Sequence, residues 1–110
     1  MLYLTAHTKV WLAIKPVDFR RQLDGLIALC QTQLNHNPRS GHLFVFINRS
    51  RTMIRVLCYE DHGYWLATKR LSRGHYTLWP STENEVISER HASELTKILK
   101  TFVASKRHNV

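Results

Sequence analysis

Residues 42–71, HLFVFINRSRTMIRVLCYEDHGYWLATKRL, decide the fold. Three runs within them, HLFVFINR, TMIRVLCYE and GYWLATKRL, are rich in β-branched and aromatic residues, and the polar pairs Ser50-Arg51 and Asp61-His62 separate them. Connections this short join antiparallel neighbours, because a parallel return needs a dozen residues or more. Loops of two or four residues also fix the pairing parity, and with it the face on which each side chain lies. One face then collects Leu43, Val45, Ile47, Ile54, Val56, Cys58, Trp65 and Ala67, which are nearly all aliphatic. The other collects Phe44, Phe46, Arg55, Leu57, Tyr59, Tyr64, Leu66, Thr68 and Arg70. A face of aromatics interleaved with arginines has three readings. It is a second buried layer, covered by the N-terminal strand or helix; a self-association surface; or a platform where rings stack on bases and guanidinium groups meet phosphates.

Outward from this stretch, KVWLAI (residues 9–14) reads as a short strand stopped by Pro16. Asp18 is placed to cap a helix over FRRQLDGLIALCQTQL, where Phe19, Leu23, Leu26, Ile27, Cys30 and Leu34 follow the 3.6-residue period. The turn-forming residues 35–42, NHNPRSGH, end it. After the third run, HYTLWP reads as a fifth strand, and ISERHASELTKILKTFVA (residues 87–104) as a second amphipathic helix. The expected fold is α+β: an antiparallel meander of about four to five strands, with an N-terminal and a C-terminal helix packed together on the aliphatic face. One domain spans residues 1–104, and residues 105–110 form a frayed basic tail.

Sixteen Lys and Arg stand against eight Asp and Glu, a formal charge of +8. From Arg39 to Arg73 seven basic residues face only Glu60 and Asp61, so the positive field belongs to the middle of the domain. That favours a polyanionic partner. Candidate phosphate contacts are Arg49 and Arg51 at the first hairpin tip, Arg55 within a strand, and Lys69, Arg70 and Arg73 around the end of the next. Arg20 and Arg21 join them from the first helical turn, where the helix macrodipole disfavours cations. Phe44, Phe46, Tyr59 and Tyr64 are the candidate stacking or interface rings.

Catalytic arrangements are sparse. The carboxylates before the last helix, Asp18, Asp24, Glu60, Asp61, Glu83 and Glu85, do not pair as a two-metal nuclease requires. Seven scattered histidines lack HxH or HxxxH spacing, and neither a glycine-rich phosphate loop nor a GxSxG elbow occurs. A histidine ribonuclease would need His42, Arg55 and Lys69 to converge. No enzyme activity, metal or cofactor is therefore expected. Cys30 and Cys58 read as buried thiols of a reducing cytoplasm. No run approaches the length of a membrane span, and the apolar start lacks the basic region of a signal peptide.

These motifs together resemble the small accessory proteins of the IS66 family of bacterial insertion sequences. The resemblance is carried by Asp18 and Arg20; Asp24-Gly25-Leu26; Ser40-Gly41, residues 43–46, Asn48-Arg49 and Arg51; residues 63–66 and 69–71; Gly74; and Trp79-Pro80. It runs without a gap over about residues 10–80. Tyr59-Glu60 stands where the family has Trp-Asp, and the sequence after Pro80 follows the family loosely. The resemblance implies a part in DNA transposition beside a DDE-type transposase and other proteins of the same element, in an accessory and non-catalytic capacity. It carries over no catalytic residue. Two roles remain open on this footing: a DNA-binding factor, and a protein–protein adaptor that assembles with the transposase or with itself.

Overall fold

The computed structural model describes residues 7–81 and 85–104; the expected frayed tail lies outside them. Its elements in chain order are β1 (Val10–Ala13), α1 (Leu23–Thr32), β2 (Leu43–Ile47), β3 (Met53–Glu60), β4 (Gly63–Arg70), β5 (His75–Tyr76), β6 (Ile87–Arg90), α2 (Ala92–Lys100) and β7 (Phe102–Val103).

The two hairpins form as their loops dictate. Ile47 pairs with Ile54 and the Asn48 N–H donates to the Met53 carbonyl, leaving the four-residue loop 49–52, and Glu60 pairs with Gly63 across Asp61-His62. Both residues of the second loop have positive φ, 51° and 65°, which a primed two-residue turn requires. The even loops preserve parity. Phe44 faces Leu57, Phe46 faces Arg55, Arg55 faces Thr68 and Tyr59 faces Tyr64, so the two faces have the composition expected of them.

The meander is only part of the sheet. The full order is β4-β3-β2-β1-β6, and β1 runs parallel to β2, with Val10 beside Leu43 and Leu12 beside Val45. The sheet is thus mixed rather than an antiparallel meander. A strand, a helix and a returning parallel strand make a crossover unit, which lays its helix over one sheet face. The expected single-sided helix layer is corrected accordingly. Helix α1 packs its Leu26, Leu29 and Cys30 with Phe44, Phe46 and Leu57, while α2 packs Leu95 and Ile98 with Val45, Ile47, Ile54 and Val56. Alternate strand residues point to opposite faces, so the helices lie on opposite sides. The reason is hydrophobic. Each face carries fully buried rings or aliphatics, each worth roughly 1.5–3 kcal/mol when removed from water, and one helix has only one apolar stripe to offer.

Three element boundaries also change. Residues 87–90 form β6 instead of the start of a helix, because they pair antiparallel with the free edge of β1, from Val10–Arg90 to Ala13–Ile87. An unpaired β1 edge would leave buried backbone groups without partners. Helix α2 begins only at Ala92, where Glu94 accepts the His91 N–H. The fifth strand shrinks to His75–Tyr76 and pairs with β7 in a separate two-stranded sheet. Asp18 accepts the Arg20 N–H in a turn ahead of α1 and does not cap the helix, which starts at Leu23. Trp79 anchors the chain beneath β1, its Nε1 donating to the carbonyls of Ala13 (3.2 Å) and Ile14 (3.1 Å).

Candidate nucleic-acid interface

Strand direction decides where the cations gather. β1 and β2 end on the same side because they are parallel, β3 begins there, and β4 ends there. Lys15, Arg20 and Arg21 follow β1, Arg49 and Arg51 follow β2, Arg55 stands near the start of β3, and Lys69, Arg70 and Arg73 lie at or after the end of β4. All eight cations singled out by sequence therefore share one end of the sheet, which is an end and not a face. Asp18, Asp24 and Glu85 are the acidic residues of the adjoining segments, while Glu60 and Asp61 occupy the hairpin at the far end.

Two adjacent clefts open at this end, outside the carboxyl ends of the parallel pair, where sheets with parallel strands commonly bind ligands. The larger, about 690 Å³, is lined by Val17, Asp18, Phe19, Arg20, Asn48, Arg49, Ser50, Met53 and Arg55. The smaller, about 230 Å³, is lined by residues including Lys15, Arg21, Leu29, Gln33, Arg49 and Val86. Asn48 shapes the wall between strands: its Oδ1 accepts the N–H groups of Thr52 (2.9 Å) and Met53 (3.0 Å), and its carbonyl accepts that of Arg51. This closed turn projects Arg49 and Ser50 into solvent.

The cations are not equally available. Arg55 spans the cleft floor, its Nη1 donating to the carbonyls of Phe19 (3.0 Å) and Arg21 (2.9 Å), its Nε to Thr68 Oγ1 (3.3 Å). It fastens the segment before α1 to the sheet. Arg20 forms a forked pair with Asp18, with Nη2 2.6 Å from Oδ2 and Nε 2.9 Å from it. That pair and the Arg20 N–H, with a further contribution from the charge of Arg49, hold the Asp18 carboxyl down at about 2. Lys69 turns to the α2 side and donates to the Leu99 carbonyl (2.7 Å) at the end of that helix. Arg21, Arg49, Arg70 and Arg73 are exposed, and Arg51 is half-buried in the left-handed region at φ 59°. Arg70 stands beside Met53 of the larger cleft by strand register.

The predicted rings do not join this cluster. Phe44 and Phe46 are completely buried under α1, so in this fold neither presents a face to a base. Tyr59 and Tyr64 pack edge to face, 4.9 Å apart, at the far end of the sheet, where Arg39 lies over Tyr59. The ring that does line the larger cleft is Phe19, with the Arg55 guanidinium 4.6 Å from its centroid. Sequence reasoning assigned Phe19 to a helix stripe and missed it; its place directly after Asp18 and before two arginines was the available signal. Lys15 was missed likewise.

His42 lies at the start of β2, at the opposite end from Arg55 and Lys69, and the three do not converge. It accepts a hydrogen bond from Trp11 Nε1 (3.0 Å). Burial, then the charges of Lys9 and His36, push its pKa below the ordinary value, with Glu89 opposing. Burial pushes the Cys30 thiol up to about 12. Among the described residues, no group of three His, Cys, Asp or Glu side chains is arranged to hold a metal ion, and no helix is long and apolar enough to cross a membrane.

Comparison with known proteins agrees with the motif string. The family model described as IS66 Orf2 like protein matches residues 8–108. The chain belongs to this IS66 Orf2 like family. Its match extends beyond the strand motifs and through α2, and so includes the segment after Pro80, in which the motifs are weakest. The family is associated with insertion sequences, and this places the chain among the proteins of a transposition element. Two relatives are uncharacterized proteins of Sinorhizobium fredii (strain NBRC 101917 / NGR234). One, y4hO, is 38% identical over 88 residues, covering 80% of this chain and 76% of the relative. The other, y4jC, is 35% identical over 72 residues, covering 66% of this chain and 62% of the relative. No solved structure matches.

Proposed function

We propose that this IS66 Orf2 like protein is a non-catalytic DNA-binding accessory factor of transposition, acting in the cytoplasm beside the transposase of the same element. The supporting observation is the convergence of Arg20, Arg21, Arg49, Arg51, Arg55, Lys69, Arg70 and Arg73 at one end of the sheet, while the hairpin carboxylates Glu60 and Asp61 lie at the other. A one-ended positive field draws a phosphate backbone and orients the protein on it. Within the set, Arg49, Arg51, Arg70 and Arg73 make the direct phosphate contacts. Arg55, Arg20 and Lys69 hold the loops and helix end that present them. Asp18, the carboxylate closest to the cleft, is committed to Arg20 and is unsuited to activating a nucleophile.

The test is fluorescence anisotropy with labelled duplexes, including the terminal repeats of the element, at low salt. Saturable binding supports the proposal, and no binding to any DNA at low salt refutes it. An adaptor role has one specific observation in its favour: Phe102 and Val103 of β7 and the nearby Leu78 remain 38–53% exposed. Co-purification of the transposase with the wild type, lost in a Phe102→Ser, Val103→Ser variant that still binds DNA, would establish that second role.

A further inference from the structure

We infer that the two clefts at the basic end hold two successive unpaired nucleotides of a DNA strand, with the phosphate between them on Arg49. The inference rests on the DNA-binding reading and narrows it to a substrate class. Its basis is that the two clefts are neighbours with a common wall, Val17, Asp18 and Arg49, and that Arg49 is the exposed cation of that wall. Each cleft also combines charge with an apolar surface, which a site for phosphate alone does not need. In the larger, Phe19 supplies an aromatic face backed by Arg55 at 4.6 Å, and such a sandwich extends a stack to an incoming base. In the smaller, Leu29, Leu34 and Val86 form an apolar wall beside Gln33. Bases in an intact duplex are stacked and paired, and a pocket reaches them only when they are unpaired or extruded. A groove lined by cations and an aromatic ring is complementary to a single strand, and the larger cleft lies within the size range of small-ligand pockets.

The experiment measures binding of the full chain, at constant salt, to one duplex carrying 3′ single-stranded extensions of zero, one, two, four and six thymidines. The expected result is a gain in affinity over the first two nucleotides, about tenfold in total, or about 1.4 kcal/mol, followed by a plateau. Phe19→Leu, which keeps an apolar side chain and the backbone carbonyl that binds Arg55, should flatten the gain, so that this variant binds blunt and extended duplexes with equal affinity. Phe19→Tyr should retain it and controls for folding. Equal affinity for blunt and extended duplexes would overturn the inference while leaving duplex binding intact. A gain that grows evenly through six nucleotides would overturn it as well, since added phosphates alone explain that. Absence of binding to every DNA would overturn the DNA-binding reading itself.

Discussion

Arg55 lies over the ring of Phe19, 4.6 Å from its centroid, and donates to the carbonyl of the same residue at 3.0 Å. One strand residue thus grips both the side chain and the backbone of the segment that leads into α1. Hydrogen bonds from a charged donor contribute about 1.5–3 kcal/mol, and an exposed cation–π contact about 0.5–1 kcal/mol. Arg55→Ala is expected to lower stability by about 1–3 kcal/mol in urea unfolding. Arg55→Lys keeps the charge but not the fork, and should be destabilised nearly as much. An Arg55→Ala protein as stable as wild type would show that the grip is unimportant.

Asp18 and Arg20 neutralise each other inside a field that is otherwise positive. Asp18→Asn should raise DNA affinity severalfold at low salt by freeing a guanidinium and removing a repulsive charge. The pH dependence follows from the depressed carboxyl, at about 2 in the fold against 3.8 ordinarily. Any stabilisation from this pair is complete above about pH 4 and disappears as pH falls through about 2. Binding curves measured between pH 5 and 9 should therefore contain no step due to Asp18.

His42 must be unprotonated at Nδ1 to accept from Trp11. Its lowered folded pKa means that the unfolded chain takes up the proton first. Its contribution to stability is therefore full above the ordinary value of 6.5 and declines as pH drops below that value. His42→Asn, which retains an acceptor but does not titrate, should remove this decline from a series of melting temperatures between pH 7.5 and 5. His36, Lys9 and Glu89 are the neighbouring charges and are left unchanged.

Gly74 has φ 87°, and a Cβ there would fall 2.0 Å from the Val103 carbonyl oxygen. Backbone cannot yield as a flexible side chain can. Gly74→Ala should detach β7 from β5, costing about 1–3 kcal/mol. Hydrogen exchange should show lost protection at His75 and Val103, while the Tyr76 amide, which donates to the Arg51 carbonyl, and β2 and β3 stay protected. Retained protection at Val103 would contradict the close approach.

The hairpins were legible because their information is local: Asp61-His62 and the four-residue loop after Asn48 set parity, and parity placed every residue of β2–β4 on its observed face. The mixed sheet was legible in principle. KVWLAI, an amphipathic helix and HLFVFI form a strand, a helix and a strand, yet the strength of the meander drew the reading away from the crossover unit. Residues 87–90 were not legible, since ISER carries polar residues compatible with a helix and becomes a strand only through the free edge of β1, some seventy-five residues earlier. The cations were identified by type and position, but their grouping depended on strand direction, which the parallel β1–β2 pair supplies. Arg55 illustrates the limit: a mid-strand arginine beside Phe46 pointed to phosphate, and its guanidinium is engaged by the carbonyls of Phe19 and Arg21.

The central claim is that the exposed cations at this end contact phosphate, and its most direct measurement is the slope of log Kobs against log salt concentration for duplex binding. Four contacts, from Arg49, Arg51, Arg70 and Arg73, predict a slope of about −3.6, at roughly −0.9 per phosphate neutralised. Alanine at any one of them should reduce the slope by about 1 with folding unchanged, whereas Arg39→Ala at the far end should leave it as it is. Slopes identical in wild type and in the Arg49, Arg51, Arg70 and Arg73 variants would contradict the account.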